Sequence, residues 1–435
     1  MSTVPYPLQK ESCLSWQPLV PSHWSVTPLR YVLSFSVGWT PPTGRDDLYS
    51  GLLPWVTIGD LDGRIVSNTA KTISREAVQI ARIPVSPKGS LLFSFKLSVG
   101  QVAFSSSDVY TNEAIATFKA SPRFCLEFAF YALPLFLIQG APENIYGAKL
   151  LNQTLIRNAR LICPPLNEQQ SIAAFLDRET AKIDALVTEQ ERLLVLLAEK
   201  RQAVISRAVT QGLDPSVPMK DSGVEWMGMV PAHWTVKRLS SACHFKIGKP
   251  HEPFLAEDGL YLCVTARFVS TNGVKVRRCS ENLSPAEKGD ILMVMSDLPN
   301  GRALARAFMT DQSDVYAVNQ RVCSITVKEG DGRYFLYQLN RNPGLLCNDD
   351  GLNQTHLSNS DFKTLHLVVP PLGEQTQIAT FLDGEIARVD GLTKQAGHST
   401  VLLRERRAAL ISAAVTGKID VRGLVPLAEP ARETA

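Results

Sequence analysis

The chain has 435 residues, of which 45% are hydrophobic and 20% charged, and its net charge is +3. That length calls for two or three ordinary domains, and the composition is globular, which excludes wholesale disorder. The near-neutral charge neither requires nor excludes nucleic acid, since binding depends on local clustering of cations rather than on the total.

In chain order, residues 1–21 form an N-terminal entry segment. The opening MSTVPYPLQKES has no basic start followed by an apolar run, so it does not read as a signal peptide. Residues 22–163 make a first mixed α/β region, with strands expected at 53–58, 90–95 and 101–104. The most apolar stretch, 125–138, is too short to span a bilayer, which needs about 20 residues. Glu127 and Pro134 interrupt it, so it reads as a buried helix over 126–138 and predicts no membrane partner.

Residues 164–212 form a central helical region. Pro164-Pro165 precede it, Gly212 ends it, and neither Pro nor Gly occurs between Asn167 and Gln211. Asp177 would suit an N-cap, which places a kink near it. Residues 213–231, with Pro215, Pro218 and Gly223, read as a polar linker. Residues 232–369 form a second mixed α/β region, with strands expected at 260–264, 290–295 and 322–327 and a helix at 334–340. Residues 370–420 are a distal helical region, and 421–435 a frayed tail.

The chain repeats itself. PPLNEQQSIAAFLDRETAKIDALV at 164–187 matches PPLGEQTQIATFLDGEIARVDGLT at 370–393 at 14 of 24 positions, an offset of 206. The match continues without a gap through LLAEKRQAVISRAVTQGLD (196–214) and LLRERRAALISAAVTGKID (402–420). At an offset of 210, VPSHW (20–24) matches VPAHW (230–234). The regions between these segments diverge, retaining only echoes such as Lys88-Gly89 with Lys288-Gly289 and LNQT at 151–154 with LNQT at 352–355. Two equal frames presenting two different surfaces suit a bipartite reader; a duplicated domain whose halves drifted is the plainer alternative.

On the first long helix, Ile183, Leu186, Leu193, Leu197, Val204 and Ala208 recur at coiled-coil spacing, and Val389, Leu392, Ala396, Leu403, Leu410 and Ala414 do so on the second. Each seam is the natural partner of the other, and an internal pseudo-two-fold makes the pair antiparallel. From Thr180 to Gln211 the helix is roughly 48 Å long at about 1.5 Å per residue. That compares with about 34–36 Å for one turn of DNA. Gly384, Gly391 and Gly397 make the second helix the weaker one.

The sequence carries no GxxxxGK[ST], GxGxxG or HExxH motif, no zinc-spaced Cys/His cluster, and no Asn-Pro-Pro-aromatic or Asp-Pro-Pro-aromatic motif. Asp177 with Glu179, repeated as Asp383 with Glu385, reads as helix capping, because residues two apart on a helix do not face each other. His23 and His233, each within Pro-x-His-Trp, read as packing residues. The expectation is therefore no catalytic residue and no metal site. Eight cysteines, Cys13, Cys125, Cys163, Cys243, Cys263, Cys279, Cys323 and Cys347, form no CxxC pair. They fit a reducing cytosol better than a disulfide scaffold.

Positive charge collects in the two variable regions: 13 Lys+Arg against 9 Asp+Glu between 22 and 160, and 16 against 14 between 232 and 366. The candidates for DNA contact are Arg45, Lys71, Arg75, Lys88 and Lys96 in the first, and Lys246, Lys249, Lys275, Arg277, Arg278, Arg302 and Arg306 in the second. Such residues position a protein on phosphates and read base edges.

SGVEWMGMVPAHWTVKRL at 222–239, with the duplicated PPLNEQQSIAAFLD and PPLGEQTQIATFLD, resembles the specificity subunits of type I restriction-modification systems, from about Lys10 to Asp420. The first copy, ESCLSWQPLVPSHW, lacks the Ser-Gly of the second. The resemblance implies two target-recognition domains joined by two antiparallel helices. Each domain reads one half of a split double-stranded site, and the helices act as a ruler. It also implies two methyltransferase subunits docked on the helical segments, with restriction subunits joining them. S-adenosylmethionine, ATP and Mg are then held by those partners, and this chain needs no cofactor. A coiled-coil scaffold that binds only protein, and a stand-alone DNA-modifying enzyme, are the alternatives. Sequence-dependent DNA binding separates the first, and the missing motifs argue against the second.

Overall fold

The structure, a computed structural model, describes residues 4–139, 141–142, 151–296, 303–347 and 356–424. The chain divides into two compact units, Met1–Gln190 with His398–Ala435, and Glu191–Gly397. The second is one continuous stretch of the sequence and the first is not, because the first takes the C-terminal end of the last long helix from the distant repeat.

In the first unit a hairpin, Gln9–Leu14 with Gln17–Pro21, leads into Ser25–Pro28, which pairs antiparallel with Arg160–Cys163. Five strands form the main sheet, in the order Phe35–Val37, Ile115–Phe118, Leu91–Ser94, Val102–Ser105, Ile65–Val66. Leu91–Ser94 is buried at every residue, as its apolar run Leu91-Leu92-Phe93 anticipates. A second sheet pairs Leu53–Val56 parallel to Tyr110–Thr111 and antiparallel to Lys71–Ile73. Helix α1, Leu126–Gln139, buries Phe128, Leu133 and Phe136 against this core despite Pro134. Of the first LNQT, Asn152 caps the short helix Gln153–Asn158; the second LNQT, 352–355, lies outside the described residues.

The second unit repeats the plan. Thr235–Arg238 pairs with His366–Val369. The main sheet runs Cys243–Ile247, Val322–Val327, Ile291–Val294, Ala307–Met309. Tyr261–Val264 pairs parallel to Tyr316–Val318 and antiparallel to Arg278–Cys279.

The long helices are α2, Leu166–Gln211, and α4, Leu372–Val415; between them in sequence lies α3, Gly332–Leu339. Helix α2 runs unbroken through Asp177, so no second helix starts there with Asp177 as its cap. The side chain that was expected to cap a helix is bound elsewhere, as described below. The segment expected as a polar linker is also folded. Met219–Asp221 pairs with Met229–Pro231, and Met227 and Val230 are buried in the core of the second unit. Gly223 and Gly228, at φ +70° and +61°, turn this hairpin; they punctuate a compact element and do not mark a flexible one.

Gly384, Gly391 and Gly397 meet nothing within 4 Å where a Cβ would stand, so packing does not require them. Gly391→Ala is expected to stabilise the second unit by about 0.5–1 kcal/mol through helix propensity alone. A thermal melt of the single variant checks this. Among the described residues no helix is long and apolar enough to cross a membrane, and all eight cysteines are free thiols.

Candidate nucleic-acid interface

Each unit is organised around one glutamate at the start of its long helix, buried in the first unit and partly exposed in the second. In the first, Glu168 accepts from His23 Nε2 at 2.7 Å through Oε1, and from Trp24 Nε1 at 3.0 Å and the Tyr6 hydroxyl at 2.9 Å through Oε2. In the second, Glu374 accepts from His233 Nε2 at 2.7 Å and Trp234 Nε1 at 2.8 Å. Pro-x-His-Trp and Pro-Pro-Leu-x-Glu-Gln are thus two halves of one lock. Burial and the neighbouring Glu168 charge push the Tyr6 phenol well above its ordinary pKa, so it stays a donor.

The glutamine after each glutamate ties the helix to its recognition region. Gln169 donates to the Pro164 carbonyl at 2.9 Å and accepts from the Cys125 amide, just before α1, at 2.7 Å. Gln375 donates to the Pro370 carbonyl at 2.8 Å and accepts from the Asp331 amide, at the cap of α3, at 3.0 Å. One glutamine therefore satisfies groups at the ends of two helices.

The Asp177 carboxylate receives the Arg64 guanidinium in two bonds, 2.7 and 3.0 Å, and the Tyr131 hydroxyl at 2.6 Å. Asp383 receives Arg333 at 2.8 Å and the Tyr337 hydroxyl at 2.6 Å. The tyrosines occupy matching places on α1 and α3, but the arginines do not: Arg64 precedes a strand and Arg333 lies on α3 itself. Burial, reinforced by the aspartate bond, pushes both phenols up. Glu179 and Glu385 pair instead with cations on their own helix turns, Lys182 and Arg388.

The long helices pair antiparallel within each unit. In the first, Arg178 meets the Leu424 carbonyl while Asp184 pairs with Arg407 at 2.8 Å. In the second, Gln211 and Gln377 line one cleft, and Arg201 pairs with Asp390 at 3.5 Å. Of the expected seam, Ile183, Leu197, Ala208, Val389, Ala396 and Ala414 are buried, and Val204, Leu403 and Leu410 half-buried. Leu186, Leu193 and Leu392 are 52%, 40% and 42% exposed, which moves them off it. On α2 the four-three repeat passes one residue later, through Val187 and Leu194; on α4 Thr393 is exposed like Leu392, and burial resumes at Ala396. Its remaining places include Thr180, Gln190, Arg201, Thr400 and Arg407. Polar seam positions hid that register from apolar periodicity.

Each helix ends in a left-handed glycine pressed against a lock tryptophan. A Cβ on Gly212 would stand 3.1 Å from Trp234, and one on Gly417 would stand 2.9 Å from Trp24. The distal repeat thereby completes the first unit.

The basic candidates fall into separate places. Arg45, Lys71 and Arg75 share the lobe built on Lys71–Ile73 and its following helix, Arg75–Ala81, where Arg45 is bound to Asp47 and faces Glu76. Lys88 and Lys96 are exposed beyond opposite ends of Leu91–Ser94, away from each other. Lys246 is exposed on Cys243–Ile247, and Lys249 follows that strand with its amide donating to the Val318 carbonyl. Lys275 and Arg277 line one cleft of about 530 Å³; Arg278 turns aside to the Gly259 carbonyl. Arg306 is held below its ordinary pKa by burial and by the charges of Arg341 and Arg201. Arg302 lies outside the described residues. The cleft also brings in Arg267 and Arg321, which no sequence pattern singled out.

The model of the type I restriction modification DNA specificity domain matches this chain twice, at residues 21–194 and 231–396. The chain is 20% identical over 426 residues to the type I restriction enzyme MjaIX specificity subunit of Methanocaldococcus jannaschii, covering 93% of this chain and 95% of that one. It is 25% identical over 302 residues to the EcoKI specificity subunit of Escherichia coli, covering 65% of this chain and 62% of that one. Among solved structures, it shares its fold with a chain from work on complex assembly and conformational transition of the type I R-M system, with a TM-score of 0.72 and 17% identity. That match covers 92% of this chain and 99% of the other. The HsdS subunit of Thermoanaerobacter tengcongensis matches with a TM-score of 0.52 and 17% identity, covering 92% and 98%.

Proposed function

The chain belongs to the type I restriction-modification DNA specificity family, and we propose that its two recognition regions read the two halves of one split double-stranded DNA site. It is a specificity subunit with two target-recognition domains. The observation that carries the finer reading is a frame kept alike around surfaces that differ. The His–Trp–Glu lock and the Tyr–Asp bond occur in both units, while the regions they hold have diverged.

In this reading the paired helices set the spacing between the half-sites. Two methyltransferase subunits dock on the helical segments, and restriction subunits join that assembly. The chain itself is non-catalytic: S-adenosylmethionine, ATP and Mg belong to the partners, and the whole acts in the cytoplasm. Selection of bound duplexes from a random-sequence DNA library by the purified chain with a methyltransferase partner tests it. Enrichment of two specified blocks at one fixed gap is expected. Enrichment of a single block, or of none, contradicts it.

A further inference from the structure

The strongest unassigned feature is the basic cleft of the second unit. Tyr261–Val264 and Tyr316–Val318 run parallel, in register from Leu262 opposite Tyr316 to Val264 opposite Val318, so both chains emerge at the same edge. Thr265 there caps the short helix Ala266–Ser270, which carries Arg267. From the other strand come Asn319, whose amide donates to the Val264 carbonyl at 3.2 Å, and Arg321. The loop holding Lys275 and Arg277 is fastened to the same edge, since the Cys263 amide donates to the Arg277 carbonyl at 2.9 Å.

Arg267, Lys275, Arg277 and Arg321 are all exposed around this cleft of about 530 Å³. Among the described residues none of these four makes an ion pair. The one carboxylate lining it, Glu252, is held by the Asn319 side-chain amide at 3.0 Å. That hydrogen bond, helped by the nearby Arg321 charge, keeps its carboxyl below the ordinary range. Unpaired cations around a polar floor suit a polyanion, and a rigid guanidinium fork suits phosphate oxygens or the O6/N7 edge of guanine.

The first unit has the same frame at this place and a different charge. Leu53–Val56 runs parallel to Tyr110–Thr111, and the Asn112 amide donates to the Val56 carbonyl at 3.1 Å, as Asn319 does to Val264. There the emerging chains carry Asp60, in a capping box with Thr57, and Glu113, bound to the Thr40 hydroxyl. Equivalent edges bearing arginines in one unit and carboxylates in the other are what two readers of different half-sites require.

We infer that this cleft is where the second unit grips duplex DNA, with Arg267 and Arg321 in direct contact with its half-site; the inference rests on the function proposed above. The test is the full-length chain, titrated with duplex DNA containing its site across a range of salt. Arg267→Ala and Arg321→Ala are each expected to weaken binding by about 5- to 150-fold where the arginine reads a base. Where it holds a phosphate, the slope of log affinity against log salt is expected to become shallower by about 1. Lys363→Ala, an exposed cation on the helix Asn359–Thr364, is expected to change neither. Arg321→Lys keeps the charge, so a restored salt slope with lost site preference marks base reading. Unchanged affinity and slope in the double arginine variant, with wild-type binding intact, overturns the cleft and leaves the family function standing. An equal loss in Lys363→Ala overturns it too. Failure of the wild-type chain to bind duplex DNA even at low salt overturns the reading function together with the cleft.

Discussion

Trp24→Ala is expected to destabilise the first unit by about 3–5 kcal/mol, the cost of emptying a large buried aromatic site. Trp24 is fully buried, donates to Glu168 at 3.0 Å and stands edge-on to Tyr6 at 5.3 Å. Its loss leaves a cavity under Pro21 and Gly417 and removes one of three donors from a buried carboxylate. Trp234→Ala does the same to the second unit, where it is the Gly212 turn that loses its support. Hydrogen exchange read segment by segment checks both. Protection should fall in Ile172–Leu176 and around Val415 for Trp24→Ala, and around Val209 and Leu382 for Trp234→Ala. Equal loss across both units in either variant would contradict the assignment of each lock to one unit.

Ending the chain after Gly397 is expected to cost the first unit more than its own length suggests. The second unit, Glu191–Gly397, keeps every residue. The first loses Ala414, Val415 and Val421, all buried in its core, together with Leu410 and Ile411 packed against it. It also loses the Arg407–Asp184 pair at 2.8 Å, whose partners are exposed enough to add little. At about 1.5–3 kcal/mol for each fully buried valine and less for the two partly buried residues, the deficit reaches the lower end of a typical domain stability of about 5–15 kcal/mol. Limited proteolysis should then digest residues 4–165 early and spare 232–369. Survival of both regions at wild-type rates would contradict the division into interleaved units.

The frame was legible in the sequence because it is written twice. VPSHW with VPAHW and PPLNEQ with PPLGEQ mark the lock and the helix start, although their pairing through Glu168 and Glu374 needed coordinates. Several features were hidden for physical reasons. The seam register is hidden at Leu186 and Leu193 because Thr180, Gln190 and Arg201 occupy seam places, and apolar spacing cannot count polar residues. Asp177 looked like a cap because short-range rules see only its own helix; its partner Arg64 arrives from a distant loop, while Asp383 takes Arg333 from a different element. Arg267 and Arg321 meet only because parallel pairing carries two remote strands to one edge. Local charge runs drew attention to Lys275 and Arg277, which share that cleft, and equally to Arg45, which is bound to Asp47.

On the proposed function, one duplicated frame presents two different readers of one split DNA site. Genome-wide mapping of methylated bases in the host, with the gene intact and with it deleted, tests this most directly. Deletion is expected to abolish methylation at one bipartite motif, two specified blocks separated by a gap of constant length. A motif that persists after deletion while the methyltransferase partner is active, or a lost motif that is a single unbroken block, would contradict it.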